Sequence, residues 1–308
     1  MILTVCPNPC VDCTIELDFL NVGKMNRIRN KQETYAGKAL NVAISLKRLG
    51  GNCLATGFMF QDNGRLFIQR CTQEGVMHDF VWNPGSARVN YKIIDNKSMM
   101  TEINDKGEMV AHSKQEELIN LVAERAKNCD IVVMSGSLPQ GVDNDFYARL
   151  CKAIPNNVKK IVDAEGDVLL NAVREGVYMI KPNLEELEHT FGRNIESREE
   201  MIQACRELIN MGAQNVLLSL GKHGAILTNG EESYFCRSAN VAVNSTVGAG
   251  DSMVAAACLQ IEKNASMQEI LKAAVAGGTA SVTTRGTGLV YIEKYNEIFQ
   301  NLVVEEFK

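Results

Sequence analysis

"DIVVMSGSLP", residues 130–139, decides how the rest of this chain is read. Ile131, Val132, Val133 and Met134 form a short continuous apolar run, closed by the polar, Gly- and Pro-containing "SGSLP". A strand with one wet face would alternate, whereas a continuous β-branched run fits a strand buried on both faces. Three further runs repeat the form: "KKIVDAEGD" (159–167), "VYMIKPN" (177–183) and "NVLLSLGKHG" (215–224). Helical patterns lie between them. Residues 197–211 open with "SREE", a capping box with Ser197 as N-cap and Glu200 reaching back. Behind it Met201, Ala204, Cys205 and Leu208 recur at helical spacing. Strands alternating with helices predict an α/β fold with a doubly wound, mainly parallel sheet flanked by helices. Ligands of such sheets bind beyond the carboxyl ends of the strands, so the four closing loops are candidates to line one site.

The first half reads differently. "VDCTIELDFL" (11–20) and "SARVNYKII" (86–94) alternate apolar and polar residues. They predict a small antiparallel sheet, separate from the main one. Between them "GKALNVAISLKRLGG" (37–51) reads as a helix with Ala39, Val42, Ala43 and Leu46 as its apolar stripe and Gly50–Gly51 as its stop.

Composition narrows the function classes. The chain has 308 residues, 45% hydrophobic and 22% charged, with a net charge of −5. That balance gives no reason to expect nucleic-acid binding, and an anionic ligand must be held by local donors. No apolar stretch approaches the ~20 residues of a membrane helix, and no signal peptide opens the chain. Ten cysteines without a secretion signal predict free thiols in a cytoplasmic protein. His78, His112, His189 and His223 are far apart and in no metal-ligand spacing.

The chemistry concentrates in two loops. In "VNSTVGAGDSMVAAACLQI" (243–261) a β-prone run meets Gly-Ala-Gly-Asp, and a small-residue helix starts. Gly248 and Gly250 allow close backbone approach to a ligand, and the open amides of the helix start attract an anion. Asp251 in the same turn makes sense if it faces a hydroxyl while the amides face a phosphoryl group. A plain Gly-rich turn with a helix-terminal acid is the competing reading. In "KPNLEELE" (181–188), Asn183 and Glu186 stand one turn apart at a helix start. An amide and a carboxylate there suit Mg²⁺, and equally suit ordinary N-capping. Neither G-x-x-x-x-G-K-[ST] nor G-x-G-x-x-G occurs, so a P-loop and a dinucleotide fingerprint are absent.

Taken together, "NPxxD", "SGSLPxG", "KPNxxEL", "SLGxxGA" and "GAGDS" resemble the PfkB (ribokinase-like) carbohydrate kinases over nearly the whole chain. "TVCPNPCVD", "NRIR", "ARVNYKI", "TEIND" and "SGSLPQGV" are similar to the hexose-phosphate kinase subgroup, 1-phosphofructokinase and tagatose-6-phosphate kinase. The resemblance implies a single kinase domain, residues 1–308, with a sugar-covering lid from about 11–35 and 86–106. It implies ATP and Mg²⁺ as cofactors, a phosphorylated ketohexose as substrate and a possible homodimer through the lid. Asp251 would be the base that accepts the sugar hydroxyl proton, with Gly248, Ala249 and Gly250 as the anion hole. Lys181, Asn183, Ser219, Gly221 and Gly224 would lie along the nucleotide, and Asn183 and Glu186 would position the metal. Asp12 would bind sugar hydroxyls, with Gly37 and Asn41 completing the contacts. Lys38 and Arg88 would hold the phosphate the substrate already carries, with Arg27 as a weaker candidate. Two anion sites are what a phosphosugar needs and a plain sugar does not. As isolated residues both cations read equally as solvated surface charges.

Other functions compete. A ribokinase-like kinase for another sugar or a nucleoside, and a silent sugar-phosphate-binding protein, keep the same fold. The family's GGKGxN is here "AGKALN" (36–41), and "DAEG" (163–166) replaces Asp followed by Thr or Ser, which opens the question of substrate. The spacing of Cys6, Cys10 and Cys13 would suit an iron–sulfur cluster. Strand alternation instead sends Cys13 into packing and leaves Asp12 on the opposite face.

Overall fold

Parallel strands must be joined by long crossovers, and this chain makes most of them as helices. The computed structural model describes residues 1–97, 99–284 and 288–307. Ser98, inside the expected lid, lies outside the described residues. Among the described residues the main sheet has eleven strands. Its parallel part runs in the order Cys53–Phe60, Ile2–Cys6, Ile131–Ser135, Lys159–Asp163, Val177–Ile180 and Ala213–Ser219, and the short strands at the Cys53–Phe60 edge are parallel to it as well. Ala225–Thr228, Ser233–Cys236 and Val304–Glu306 extend one edge antiparallel. At the other edge the short strands Met77–His78 and Val81–Asn83 pair with Cys53–Phe60. Val133 sits between Thr4 and Ile161 in register, and all three are fully buried. This two-sided burial is the cause of the continuous apolar runs.

Helix Arg198–Met211 starts with the expected capping box: Glu200 N–H donates to Ser197 Oγ, and Ser197 N–H donates to Glu200 Oε2. Helix Lys38–Arg48 is buried beyond its predicted stripe, from Ala39 through Leu46. The reason is a second partner: Ser45 Oγ and Ser252 Oγ lie 3.2 Å apart, which ties it to helix Ala249–Glu262 as well as to the sheet.

The small separate sheet has the order Asn30–Ala36, Cys10–Glu16, Arg88–Ile94, Met100–Asn104. Its outer pairs are antiparallel, as expected, but its central pair, Cys10–Glu16 with Arg88–Ile94, is parallel. Between those strands the chain leaves the small sheet, crosses the main body and returns, and a strand that returns by a crossover arrives parallel. A second difference concerns the run before Gly248, which forms no strand. Its polar groups are satisfied elsewhere: Asn244 N–H donates to the Val282 carbonyl (2.8 Å) and Asn244 Nδ2 to the Thr283 carbonyl (2.7 Å). Among the described residues no helix is long and apolar enough to cross a membrane.

Candidate active site

Gly248 caps helix Ala249–Glu262 with φ +82°, a conformation that favours glycine. No side chain caps this end, so amides of the first turn stay open to an anion. Of the residues expected to form the anion hole, Ala249 already donates its amide to the Thr246 carbonyl (3.3 Å). Gly250 has a different asset. A Cβ there would come 3.3 Å from Lys181 Nζ, so the ammonium lies directly against the turn.

Asp251 stands in the same turn, 6% exposed. Its Oδ2 accepts a hydrogen bond from Asn41 Nδ2 at 2.9 Å. Burial, and then the negative charge of Asp163, push its carboxyl up to about 6; Lys38, Asn41 and Lys181 oppose the rise. A carboxylate so placed is poised to take a proton near neutral pH.

Asp163 ends its strand fully inside the protein, 1% exposed. Ser135 Oγ donates to its Oδ2 at 2.9 Å, and Lys181 Nζ lies 3.2 Å from its Oδ1. Burial raises its pKa, but Lys181, Lys38 and Ser135 outweigh this, so it stays ionised below the usual carboxylate range. Lys38 Nζ is 3.8 Å from Asp163 Oδ2 and 3.9 Å from Glu186 Oε1. Asp163 first, and Glu186 and Asp251 after it, hold the Lys38 ammonium firmly protonated.

Asn183 and Glu186 form a capping box: Glu186 N–H donates to Asn183 Oδ1 (2.7 Å) and Asn183 N–H to Glu186 Oε2 (2.9 Å). Glu186 Oε1 is left facing Lys38. The adjoining loop is fixed to this one, since Ser219 N–H donates to the Pro182 carbonyl (2.9 Å). Gly221 and Gly224 shape the turn after Ser219, both at positive φ. Gly224 is required by packing, because a Cβ would fall 2.0 Å from the Cys236 carbonyl oxygen.

Under the small sheet lies a second cluster. Arg88 donates through Nη1 to the Asp105 carbonyl (2.8 Å) and through Nη2 to Ser137 Oγ (3.2 Å). Asn8 Nδ2 lies 3.3 Å from the same Oγ. Among the described residues, Arg88 Nε and Asn8 Oδ1 are buried without a hydrogen-bond partner. Unspent polar groups around a guanidinium suit a polar ligand that completes them. Asp12, expected to face the sugar, pairs with Lys92 Nζ at 3.2 Å. Gly37, at φ +149°, turns the chain into helix Lys38–Arg48 where Cys6 Sγ fills the space a Cβ would need.

The structure thus brings together Asn41, Asp251, Lys38, Lys181, Asn183 and Glu186. Of the two cations expected to share one phosphate, Lys38 has its ammonium toward Asp163 and Glu186, and Arg88 donates to Ser137. Arg27 is exposed in the loop between two strands of the small sheet. Cys10 Sγ reaches toward Asp12 Oδ1 (3.7 Å), and Cys13 lies on the opposite face of the strand, so the three sulfurs do not converge. Sequence reasoning missed Asp163, Ser137, Asn8 and Lys92. Two signals were available: a carboxylate closing the otherwise apolar "IVD", and Arg88, Asn90 and Lys92 alternating along one face of "RVNYK".

The chain matches the model of pfkB family carbohydrate kinase over residues 7–294. It is 31% identical over 304 residues to 1-phosphofructokinase of Vibrio cholerae, covering 98% of this chain and 96% of the relative. It is 34% identical over 290 residues to D-tagatose-1-phosphate kinase of Bacillus licheniformis, covering 94% of each. Among solved structures, phosphofructokinase-2 from Escherichia coli in complex with potassium superposes with a TM-score of 0.91 at 28% identity, covering 97% of this chain and 98% of that one.

Proposed function

Because the chain belongs to the pfkB family of carbohydrate kinases, we propose that it transfers the γ-phosphoryl group of ATP to a ketohexose monophosphate, giving the bisphosphate. A ketohexose 1-phosphate is the favoured acceptor, in line with the names of the two relatives. The observation that carries the reading is a pair of cationic clusters, one of them beside a buried carboxylate. Lys38, Lys181 and the Gly250 turn form one, Arg88 with Ser137 and Asn8 the other, and Asp251 lies beside the first.

Each group then has a task. The resident phosphate seats on Arg88, whose fork of donors matches phosphate oxygens, and it completes Arg88 Nε. Asp12 accepts from sugar hydroxyls. Asn41 fixes Asp251 so that one carboxylate oxygen faces the reacting hydroxyl. The hydroxyl oxygen forms a bond to the γ-phosphorus as the bond to the β-bridging oxygen breaks. The hydroxyl proton passes to Asp251, and ADP leaves with the bond's electron pair. Lys181, the turn at Gly250 and Lys38 stabilise the charge on the moving group. The oxygen donors of Asn183 and Glu186 fit a hard divalent cation such as Mg²⁺. Among the described residues no cluster of acidic, His or Cys side chains forms a cage for a metal, so these donors fit a cation arriving with the nucleotide. Such an ion would neutralise phosphate charge when bound.

Several outward side chains of the small sheet and its loops are apolar and exposed, Val22, Met25, Met100 and Ile103 among them. They support lid pairing with a second copy, which sedimentation at low protein concentration would test. The activity is tested with an ADP-coupled panel of fructose 1-phosphate, tagatose 1-phosphate, both 6-phosphates, the free sugars and nucleosides. Turnover of a free sugar or nucleoside, with no phosphorylated ketohexose accepted, overturns the reading.

A further inference from the structure

Strands Cys10–Glu16 and Arg88–Ile94 run parallel in register, with Cys10 beside Arg88, Asp12 beside Asn90 and Thr14 beside Lys92. Side chains alternate along a strand, so Arg88, Asn90 and Lys92 form one row on the face that Asp12 shares. That face looks into the body, because Arg88 reaches Ser137 from it. Two ionic groups sit in this row well out of water: the side chains of Lys92 and Asp12 are 8% and 7% exposed. Buried charges persist only when paired, and their ammonium and carboxylate are 3.2 Å apart.

Lys92 is not placed as another phosphate ligand. Its charge is cancelled by Asp12, whereas its row neighbour Arg88 pairs with no acidic side chain and keeps Nε without a hydrogen bond among the described residues. The pair divides the carboxylate of Asp12. Oδ2 is held by Lys92, and among the described residues Oδ1 has only the long contact from the Cys10 thiol at 3.7 Å. A thiol is a weak donor, readily displaced by a sugar hydroxyl.

We propose that Lys92 is a positioning residue for sugar recognition: by holding Oδ2 of Asp12 it presents Oδ1 to a hydroxyl of the sugar. The inference rests on the assignment of Asp12 to the sugar.

The test is a double-mutant cycle of wild type, Lys92→Met, Asp12→Asn and the double variant. It is run on whichever sugar the wild type turns over, so a wrong substrate assignment shows in the wild type alone and leaves the cycle readable. Lys92→Met is expected to raise KM for the sugar roughly 30-fold or more, with kcat and the KM for ATP within about threefold. Lys92→Arg should recover part of the loss. In the Asp12→Asn background Lys92→Met should add less than about threefold, since its partner is already neutral. Additive losses would mean that Lys92 contacts the sugar independently, and overturn the proposal. So would equal loss of kcat and of affinity for both substrates accompanied by a fall in Tm, which marks a purely structural role.

Discussion

Replacing Asp251 by Asn should make this protein more stable while nearly abolishing its activity. Burial and the neighbouring Asp163 raise the Asp251 carboxyl from its ordinary 3.8 to about 6. A carboxyl whose pKa is raised in the folded state opposes folding once ionised. The cost is fully present above the folded value, near pH 6, and disappears as pH falls through the unfolded value, near 4. At about 1.4 kcal/mol for each pH unit, the rise is worth about 3 kcal/mol at pH 8. Asn has nearly the shape of Asp, and its carbonyl can still accept from Asn41 Nδ2. The net rise already includes the opposing pull of Lys38 and Lys181; burying an amide N–H₂ in place of a carboxylate oxygen takes back part of the gain, so about 1–3 kcal/mol is expected, roughly 2–5 °C in Tm. The assay is thermal or urea unfolding of both proteins at pH 8 and pH 4.5, beside kcat at pH 8. The variant should be more stable at pH 8, the difference should shrink sharply at pH 4.5, and kcat should fall by roughly 10²–10⁴-fold. An Asn variant no more stable at pH 8, or equally stabilised at both pH values, would refute the electrostatic account of this site. Unchanged kcat would remove Asp251 as the base.

Three further outcomes follow from the geometry. The acid limb of kcat/KM should bend near pH 6, falling tenfold per unit below it, and Asp163→Asn should move the bend to lower pH by removing a charge that raises Asp251. Pre-steady-state or initial-rate pH profiles read both. Arg88→Ala should raise KM for the phosphosugar by roughly 10- to 100-fold with little change in KM for ATP, and Arg88→Lys should restore little because the fork to Ser137 is lost. Gly224→Ala should destabilise by more than about 2 kcal/mol, since its Cβ would lie 2.0 Å from the Cys236 carbonyl and its φ is +111°; denaturant unfolding measures it.

Much of the fold is local in origin, and so legible. The apolar stretches at 131–134, 161–162, 177–180 and 216–218 are continuous because those parts of the strands are covered on both faces. The boxes at Ser197 and Asn183 lie within four residues of chain. The Gly248 turn before Asp251 is likewise a short-range signal, since only its own residues set the φ it needs.

What the sequence by itself determined were the strands, the helix starts and the presence of a carboxylate beside an open helix terminus. Tertiary structure alone decided how those parts meet. Asn41 reaches Asp251 across 210 residues, and Ser135, Asp163 and Lys181 meet because adjacent parallel strands bring their carboxyl ends side by side. The parallel centre of the small sheet, which puts Lys92 diagonally across from Asp12 and within ion-pair reach, follows from a crossover through the body. A side chain's periodicity and propensity are written in its neighbours along the chain. Its partner, and hence its charge state and role, is set by register between strands far apart in sequence.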